Sequence, residues 1–149
     1  LTVKYPTDEY DRTMSVNARG SFLCSRAALR SMLRERFGRI VNISSAVAIH
    51  GNAGQVAYAA SKAAMVGMAR SLAREVGSRG ITVNVVQPGP VDTDMNPADG
   101  PMKDQMHGFM AIKRHARADE VAELAAYVAG PHGAMITGSM QTIDGGFGA

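Results

Sequence analysis

The chain has 149 residues, 46% of them hydrophobic and 19% charged, which is enough for one ordinary domain with a single core. Its apolar runs are short and interrupted by polar residues, so no segment is predicted to cross a membrane. The net charge of +3 comes from scattered basic residues without a basic block, which argues against nucleic acid as a partner. Cys24 is the single cysteine and cannot form an internal disulfide, and we therefore expect a cytoplasmic protein.

The first third of the chain is predicted to form a long helix followed by a buried strand. Thr7 stands before two acidic residues, which is typical of a helix start, and apolar residues then recur on one face over residues 8–36. Cys24 lies within this helix and is predicted to be buried as a small hydrophobic residue. Gly38 ends the helical pattern, the β-branched run 39–44 predicts a strand, and the Gly-rich stretch 46–54 predicts a loop.

The remaining elements alternate between helices and strands. A second helix is predicted over residues 55–76 and a second strand over 81–86. Residues 91–117 are predicted to be a long irregular excursion with a short helix near 102–110, before a helix over 119–129 and a strand over 140–143. This alternation predicts an α/β fold with a doubly wound parallel sheet of the Rossmann type, in one domain over residues 1–149.

Tyr58 and Lys62 are four residues apart in the predicted helix 55–76, so they lie on the same helical face. A phenol is a poor base at neutral pH, but an ammonium group within about 4 Å stabilises a phenolate by roughly 4 kcal/mol at an effective dielectric constant near 20. Such a pair suits proton transfer at neutral pH. The same spacing is also common on helix surfaces, where it is a solvated pair without a function.

Other polar groups follow the predicted strands. Ser44 and Ser45 stand at the end of strand 39–44, and Pro88 and Gly89 follow strand 81–86. Because the carboxyl ends of parallel strands meet at one edge of a sheet, we expect these residues to share one crevice with Tyr58. The alternative for Ser45 is that its hydroxyl only caps a turn.

These motifs, in this order, resemble the short-chain dehydrogenase/reductase family, and within it the 3-oxoacyl-(acyl-carrier-protein) reductase-like branch. The resemblance covers essentially the whole chain. The motifs that carry it are Val16-Asn17, Asn42-Ile43-Ser44-Ser45, Tyr58 with Lys62, Gly80-Ile81-Thr82-Val83-Asn84, Pro88-Gly89, Ile136-Thr137-Gly138 and Asp144-Gly145-Gly146.

The resemblance implies an NAD(P)-dependent oxidoreductase that interconverts a small-molecule carbonyl and a secondary alcohol. By that resemblance Tyr58 is the catalytic acid/base, and Ser45, rather than Ser44, polarises the substrate oxygen. Lys62 holds the nicotinamide ribose and stabilises the phenolate, and Asn17 holds a water that relays protons to the lysine. The implied catalytic set is therefore Asn17, Ser45, Tyr58 and Lys62.

The resemblance also implies a cofactor site, a lid and an assembly. NAD or NADP would be bound by Tyr58, Lys62, Pro88, Gly89, Val91 and Thr93. Residues 93–117 would form a substrate lid whose methionines are either substrate contacts or plain packing: Met95, Met102, Met106 and Met110. The two long helices would pair copies of the chain into a homodimer or homotetramer. The four histidines are dispersed and lack the spacing of a zinc site, so no metal is predicted.

One element of that family is not found in the sequence. The Gly-rich turn that binds the cofactor pyrophosphate at a helix N-terminus has no counterpart in residues 1–149. We therefore expect a domain truncated at its N-terminus, of which only the C-terminal part is present, and in which one edge of strand 39–44 is unpaired. The residues that would choose between NAD and NADP are expected to lie in the part that is lacking.

Two other functions are open at this stage. Residues 87–102 and 144–149 resemble a sub-branch linked to cyclic-dinucleotide binding and biofilm dispersal, which predicts a regulatory binding protein on the same fold. A fragment that assembles without catalysing a reaction is the third possibility. The presence of Ser45, Tyr58 and Lys62 together favours catalysis, because a binding protein has no need of a tuned phenol.

Overall fold

A computed structural model describes all 149 residues as one parallel sheet with helices packed against it. The strands are β1 Gly38–Ile43, β2 Ile81–Pro88 and β3 Met140–Ile143. The helices are α1 Thr7–Met14, α2 Gly20–Glu35, α3 Val47–His50, α4 Val56–Val76, α5 Lys103–Phe109 and α6 Ala118–Ala129. None of them combines the length and the apolar character that a membrane span requires.

The sheet has the order β1-β2-β3, and both pairs of strands are parallel. Gly38 is paired with Ile81 at the start of β1 and β2, and Ile43 with Val86 at its end. β1 is hydrogen-bonded to β2 alone, so its other edge is unpaired, as the sequence predicts. The α/β class with a parallel sheet is thus confirmed.

The core lies around the central strand β2, whose residues are buried on both faces. Ile81, Val83 and Val85 pack with Leu29 of α2 and with residues of α4, and the members from α4 are Ala69, Ala73 and Val76. The alternate residues of β2 are buried as well, and α6 contacts both β1 and β2. Five of the eight residues of β2 are the β-branched Ile, Val or Thr, which favour strands, and this explains why the sequence located it.

Two elements differ from the sequence prediction. The predicted helix 8–36 is divided by a π-helical segment, Ser15–Arg19, between α1 and α2. The predicted loop 46–54 contains the one-turn helix α3, which ends at Gly51 with a positive φ of 68°. The short helix expected near 102–110 is present as α5.

The prediction for Cys24 was wrong. Its side chain is exposed, because the face of α2 that carries it borders a groove beside β1 instead of the core. Leu29 and Ser25 are the residues of α2 that are buried.

Candidate active site

The carboxyl ends of β1 and β2 and the first turn of α4 surround one cavity of about 600 Å³. Ser45 follows β1, Gly89 and Pro90 follow β2, and Tyr58 lies near the beginning of α4; all four line this cavity. The structure therefore brings Ser45 and Tyr58 together, as the edge of a parallel sheet predicts. We call this space the carbonyl cavity.

Lys62 lies one turn after Tyr58, and its side chain is half-buried. Its Nζ is 5.8 Å from the centroid of the Tyr58 ring and donates a hydrogen bond of 2.8 Å to the carbonyl oxygen of Ile43. Burial lowers the pKa of Lys62. The ammonium group is thus held beside the phenol by the last carbonyl of β1.

Lys62 and Asn17 line a second opening, a groove of about 480 Å³ between α2 and the unpaired edge of β1. Tyr58 does not line this groove, and Lys62 does not line the carbonyl cavity. The Tyr58–Lys62 pair therefore stands between two openings. One holds the serine and the other holds the asparagine of the predicted set.

Asn17 lies in the π-helical segment, and short π-helical turns inside helices are frequent at functional sites. Its Nδ2 donates a hydrogen bond of 2.9 Å to Ser61 Oγ, and that hydroxyl donates one of 2.8 Å to the carbonyl oxygen of Tyr58. Ser61 is fully buried in α4 and was not singled out from the sequence. Its position between Tyr58 and Lys62 was the available signal, but a small residue on a packed helix face does not reveal a distant partner.

Ser44 and Ser45 have different surroundings. Ser44 is buried, and its hydroxyl donates a hydrogen bond of 2.8 Å to the carbonyl oxygen of Lys62. Ser45 lines the carbonyl cavity, where its Oγ accepts a weak hydrogen bond of 3.3 Å from the Val47 N–H. Ser44 is therefore occupied in holding α4 to β1, whereas the hydroxyl hydrogen of Ser45 is free for a ligand.

Backbone hydrogen bonds join the start of the predicted cofactor loop after β2 to the chain after β1 and to β3. The Ala46 N–H donates to the Pro88 carbonyl at 2.9 Å, and the Gly89 N–H donates to the Ile143 carbonyl at 3.0 Å. Further along the loop, Val91 forms a parallel bridge with Ala116.

Thr93 begins a turn with Asn96 and is exposed. Gly89 lines the carbonyl cavity, whereas Val91 and Thr93 do not. Of the predicted cofactor residues that follow β2, the cavity thus includes only the one nearest the strand.

Residues 95–109 contribute an apolar wall to the carbonyl cavity. Met95, Met102, Met106 and Phe109 line it, while Met110 is buried outside it against Gly145. None of the seventeen lining residues is Asp, Glu, Lys, Arg or His.

Tyr5 and Phe147 also line the carbonyl cavity and were not identified from the sequence. They come from the two ends of the chain, so no local pattern connects them with Tyr58.

The residues present fit one end of a nicotinamide cofactor. Tyr58, the half-buried Lys62 and Gly89 stand together at the carboxyl edge of the sheet, where such a ring would meet a substrate. No Gly-rich turn in the described chain joins a strand to a helix N-terminus in the way that a pyrophosphate requires. No three His, Cys, Asp or Glu side chains are grouped as possible metal ligands.

Comparisons with known proteins show the family to which the chain is similar. A family model described as enoyl-(acyl carrier protein) reductase matches residues 2–148. The chain is 52% identical over 146 residues to the cyclic-di-GMP-binding biofilm dispersal mediator protein of Escherichia coli, covering 95% of this chain and 60% of that protein. It is 41% identical over 147 residues to the 3-oxoacyl-[acyl-carrier-protein] reductase FabG of Pseudomonas aeruginosa, covering 98% and 60%.

A solved structure of a short chain dehydrogenase is similar to this chain in both fold and sequence. The short chain dehydrogenase of Burkholderia cenocepacia, in complex with NADP, superposes with a TM-score of 0.91 and is 47% identical, over 98% of this chain and 59% of that one. The chain therefore spans about 60% of the length of the relatives that it matches.

Proposed function

The chain belongs to the short-chain dehydrogenase/reductase family, and on this basis we propose that it carries the catalytic part of an NADP(H)-dependent carbonyl reductase. The observation that supports the proposal most directly is the carbonyl cavity, in which Ser45 and Tyr58 stand together beside the half-buried ammonium group of Lys62. FabG, whose name describes a reductase of a 3-oxoacyl group, is 41% identical.

Tyr58 is proposed as the proton donor in the direction of reduction. Its hydroxyl would transfer a proton to the carbonyl oxygen of the substrate as that oxygen gains negative charge. The phenolate that remains faces the ammonium group of Lys62, whose Nζ is 5.8 Å from the ring centroid. The ammonium group would offset part of the negative charge that develops on the Tyr58 oxygen as the proton is transferred to the substrate.

Ser45 is proposed to fix the position of the same oxygen. Its Oγ accepts the Val47 N–H, so the hydroxyl hydrogen can be donated to a substrate oxygen in the cavity. A donor that is already oriented stabilises the developing alkoxide without having to reorganise. Ser44 cannot take this role while its hydroxyl is donated to the Lys62 carbonyl.

Asn17 and Lys62 are proposed to return protons to Tyr58 after each turnover. Both side chains line the groove beside β1, which gives solvent access to the ammonium group. The Asn17–Ser61–Tyr58 chain of hydrogen bonds holds the π-helical segment against α4.

The cofactor is proposed to be NADP(H), which would supply the hydride at the carbonyl carbon. The related dehydrogenase of Burkholderia cenocepacia was solved with NADP. Within this chain, Lys62 and Tyr58 would bind the nicotinamide ribose, and Pro88, Gly89, Val91 and Thr93 would lie along the nicotinamide. Residues 93–117 are proposed as the lid over the substrate.

The test has two parts, because the chain spans about 60% of its relatives. NADH and NADPH are titrated into the chain alone, and into a fusion with the amino-terminal part of the Escherichia coli relative, while nicotinamide fluorescence is followed. We expect the fusion to bind NADPH and to reduce an uncharged ketone. Tyr58→Phe should lower kcat by about 100- to 10,000-fold while the circular dichroism spectrum stays the same.

Tyr127→Phe is the matched control, because Tyr127 is an exposed tyrosine of α6 away from the cavity. Turnover that survives Tyr58→Phe, or that falls equally in Tyr127→Phe, would contradict the assignment.

A second candidate function is binding of a cyclic dinucleotide, which the name of the 52% identical relative supports. Such a ligand carries two phosphates, and phosphates in protein sites are usually paired with Arg or Lys. The carbonyl cavity has no charged side chain in its lining, which favours an uncharged substrate there. Cyclic-di-GMP binding that persists in Tyr58→Phe, in a fusion that reduces no ketone, would support the second candidate.

The chain is also proposed to form a homodimer or homotetramer through α2 and α4. Exposed apolar side chains on α2, Phe22 and Leu33, would be covered in such an assembly. Light scattering after size exclusion measures the mass, and a monomer at micromolar concentration would contradict this part of the proposal.

A further inference from the structure

Residues 144–149, which we call the tail, follow β3 and reach the carbonyl cavity. Phe147 is one of the residues that line the cavity. The tail contains the Asp144-Gly145-Gly146 motif, but none of the proposed catalytic steps uses it. Its position beside the substrate therefore calls for a separate explanation.

Asp144 fixes the path of the tail. Its carboxylate accepts hydrogen bonds from the N–H groups of Gly146 at 2.9 Å and of Gly148 at 3.2 Å. Gly145 and Gly146 have φ angles of +63° and +75°, a left-handed conformation that favours glycine. Phe147 lies between Gly146 and Gly148, the two residues whose N–H groups are bound by the carboxylate. The backbone at Phe147 is therefore held in place.

The tail also contacts the elements around the cavity. A Cβ at position 89 would lie 2.7 Å from the Asp144 Cα, so the loop after β2 packs directly on the tail. The Ile112 N–H donates a hydrogen bond of 2.8 Å to the Gly145 carbonyl, which joins the tail to the segment after α5. Gly148 lies against the imidazole of His50 in α3. The tail is thus a wall attached to both sides of the cavity.

Phe147 contacts Phe109 of α5, and both residues line the cavity. Their ring centroids are 6.0 Å apart with an interplanar angle of 70°, the edge-to-face arrangement that aromatic pairs favour. Phe109 is 65% exposed, whereas Phe147 is half-buried in the tail. The pair therefore combines a fixed ring with one carried on the proposed lid, next to the methionines.

We propose that Phe147 is a specificity-determining residue, which selects carbonyl compounds with an uncharged apolar arm. The arm packs on the Phe147 ring and the methionine wall, and Phe109 covers it. The proposal rests on the proposed function in one respect, namely that the ligand is a carbonyl compound. An anionic arm is disfavoured, because the lining has no cation to pair with it.

The test measures binding of the uncharged naphthyl ketone 6-propionyl-2-(dimethylamino)naphthalene, whose emission shifts to the blue in an apolar site. We expect the chain to bind it, and Phe147→Ala to raise the Kd by about 10- to 100-fold, because the contact with one buried aromatic side chain is lost. Phe147→Leu keeps part of the apolar surface and should give an intermediate Kd. Phe37→Ala, which removes a 61% exposed phenylalanine between α2 and β1, should leave the Kd unchanged.

A second measurement addresses the aromatic pair. Phe109→Ala should also raise the Kd, and the double variant should raise it by about 2- to 10-fold less than the product of the two single effects, because the rings act together. No binding by the unmodified chain, an unchanged Kd in Phe147→Ala, or an equal rise in Phe37→Ala would overturn the proposal.

The outcomes separate this proposal from the reductase function. If Phe147→Ala weakens binding but the fusion does not reduce the bound ketone with NADPH, the reductase function fails and the role of Phe147 stands. If the fusion reduces the ketone and Phe147→Ala leaves kcat/KM unchanged, the role of Phe147 fails and the reductase function stands.

Discussion

β2 and the segment that follows it differ sharply in how much of each is buried. Seven of the eight residues of β2 are buried, whereas in residues 89–117 only Met110 and His115 are. Ser45 and Tyr58 stand on elements packed against β2, and the apolar wall of the cavity stands on the second segment. The proposed catalytic residues therefore stand on a well-buried framework, whereas the proposed substrate contacts stand on a segment that opens at lower cost.

The largest expected effect on stability is the difference between an Ile→Ala substitution in β2 and one in residues 89–117. Ile81→Ala leaves a cavity in the core around β2 and should lower the free energy of unfolding by about 2–5 kcal/mol. Ile112→Ala removes a side chain that is 57% exposed and should cost less than about 1 kcal/mol. Urea denaturation of both variants measures the difference. Equal losses would contradict the division into two regions.

A smaller effect is expected at the contact between α4 and the π-helical segment. Ser61→Ala removes the acceptor for Asn17 and a donor to the Tyr58 carbonyl, so it should cost about 1–3 kcal/mol. Ser61→Ala should also lower kcat more than it raises KM. Asn17 and Lys62, which are proposed to return protons to Tyr58, line the groove beside β1 and not the cavity in which the substrate is proposed to bind. Ser71→Ala, an exposed serine of the same helix, is the matched control. An equal response of the two serines would show that the buried contact is dispensable.

A pH-dependent effect is expected within the less buried segment. His115 Nδ1 and His107 Nε2 are 2.9 Å apart and join residue 115 to α5. Burial, and then the charge of His107, lowers the pKa of His115, while Asp92 raises it and Lys103 lowers it to lesser degrees. The folded state therefore favours neutral His115, and stability is lost as the pH falls below the ordinary value of 6.5.

Hydrogen exchange measures this effect. We expect the amides of α5 to exchange faster at pH 5.5 than at pH 7.5 after correction for the intrinsic rate, with no change in β2. His115→Gln should remove the difference. A pH response that persists in this variant would place its origin elsewhere.

The smallest expected effect is at the beginning of α6. Glu120 accepts hydrogen bonds from the Arg114 guanidinium at 2.7 and 2.8 Å and from the Arg117 N–H, which lower its pKa from 4.5 to about 2. The folded state thus favours the carboxylate, and this stabilisation is present above pH 4.5 and lost as the pH falls toward 2. Glu120→Gln should lower the Tm at pH 6 and have a smaller effect at pH 3. Glu123→Gln, at an exposed position of α6, is the control and should leave the Tm unchanged at both pH values.

The framework could be predicted from the sequence because its signals are local. Short runs rich in β-branched residues locate β1 and β2, and the period of α4 places Tyr58 and Lys62 on one face. Ser45 could be separated from Ser44 only through the family resemblance; in the structure Ser45 lines the cavity and Ser44 does not. The proposed roles of these residues are still predictions, since geometry alone does not test them.

The features that were missed depend on partners far away in the chain. The π-helical segment lies where Asn17 meets Ser61, 44 residues later, and no window on the helix contains that contact. Phe147 reaches the cavity only because two left-handed glycines redirect the tail. The error at Cys24 has the same origin, since the helical period does not indicate which face meets the groove.

The close approach of the tail to its neighbours has a consequence for directed evolution of this fold. A side chain at position 146 would require a backbone change and would meet the Cβ of Ala111, and one at position 89 would meet the backbone of Asp144. Randomising these glycines would yield mostly misfolded clones. Phe147 has no positive φ, so a library that varies Phe147 and Phe109 together changes the proposed substrate contacts and leaves these glycines in place.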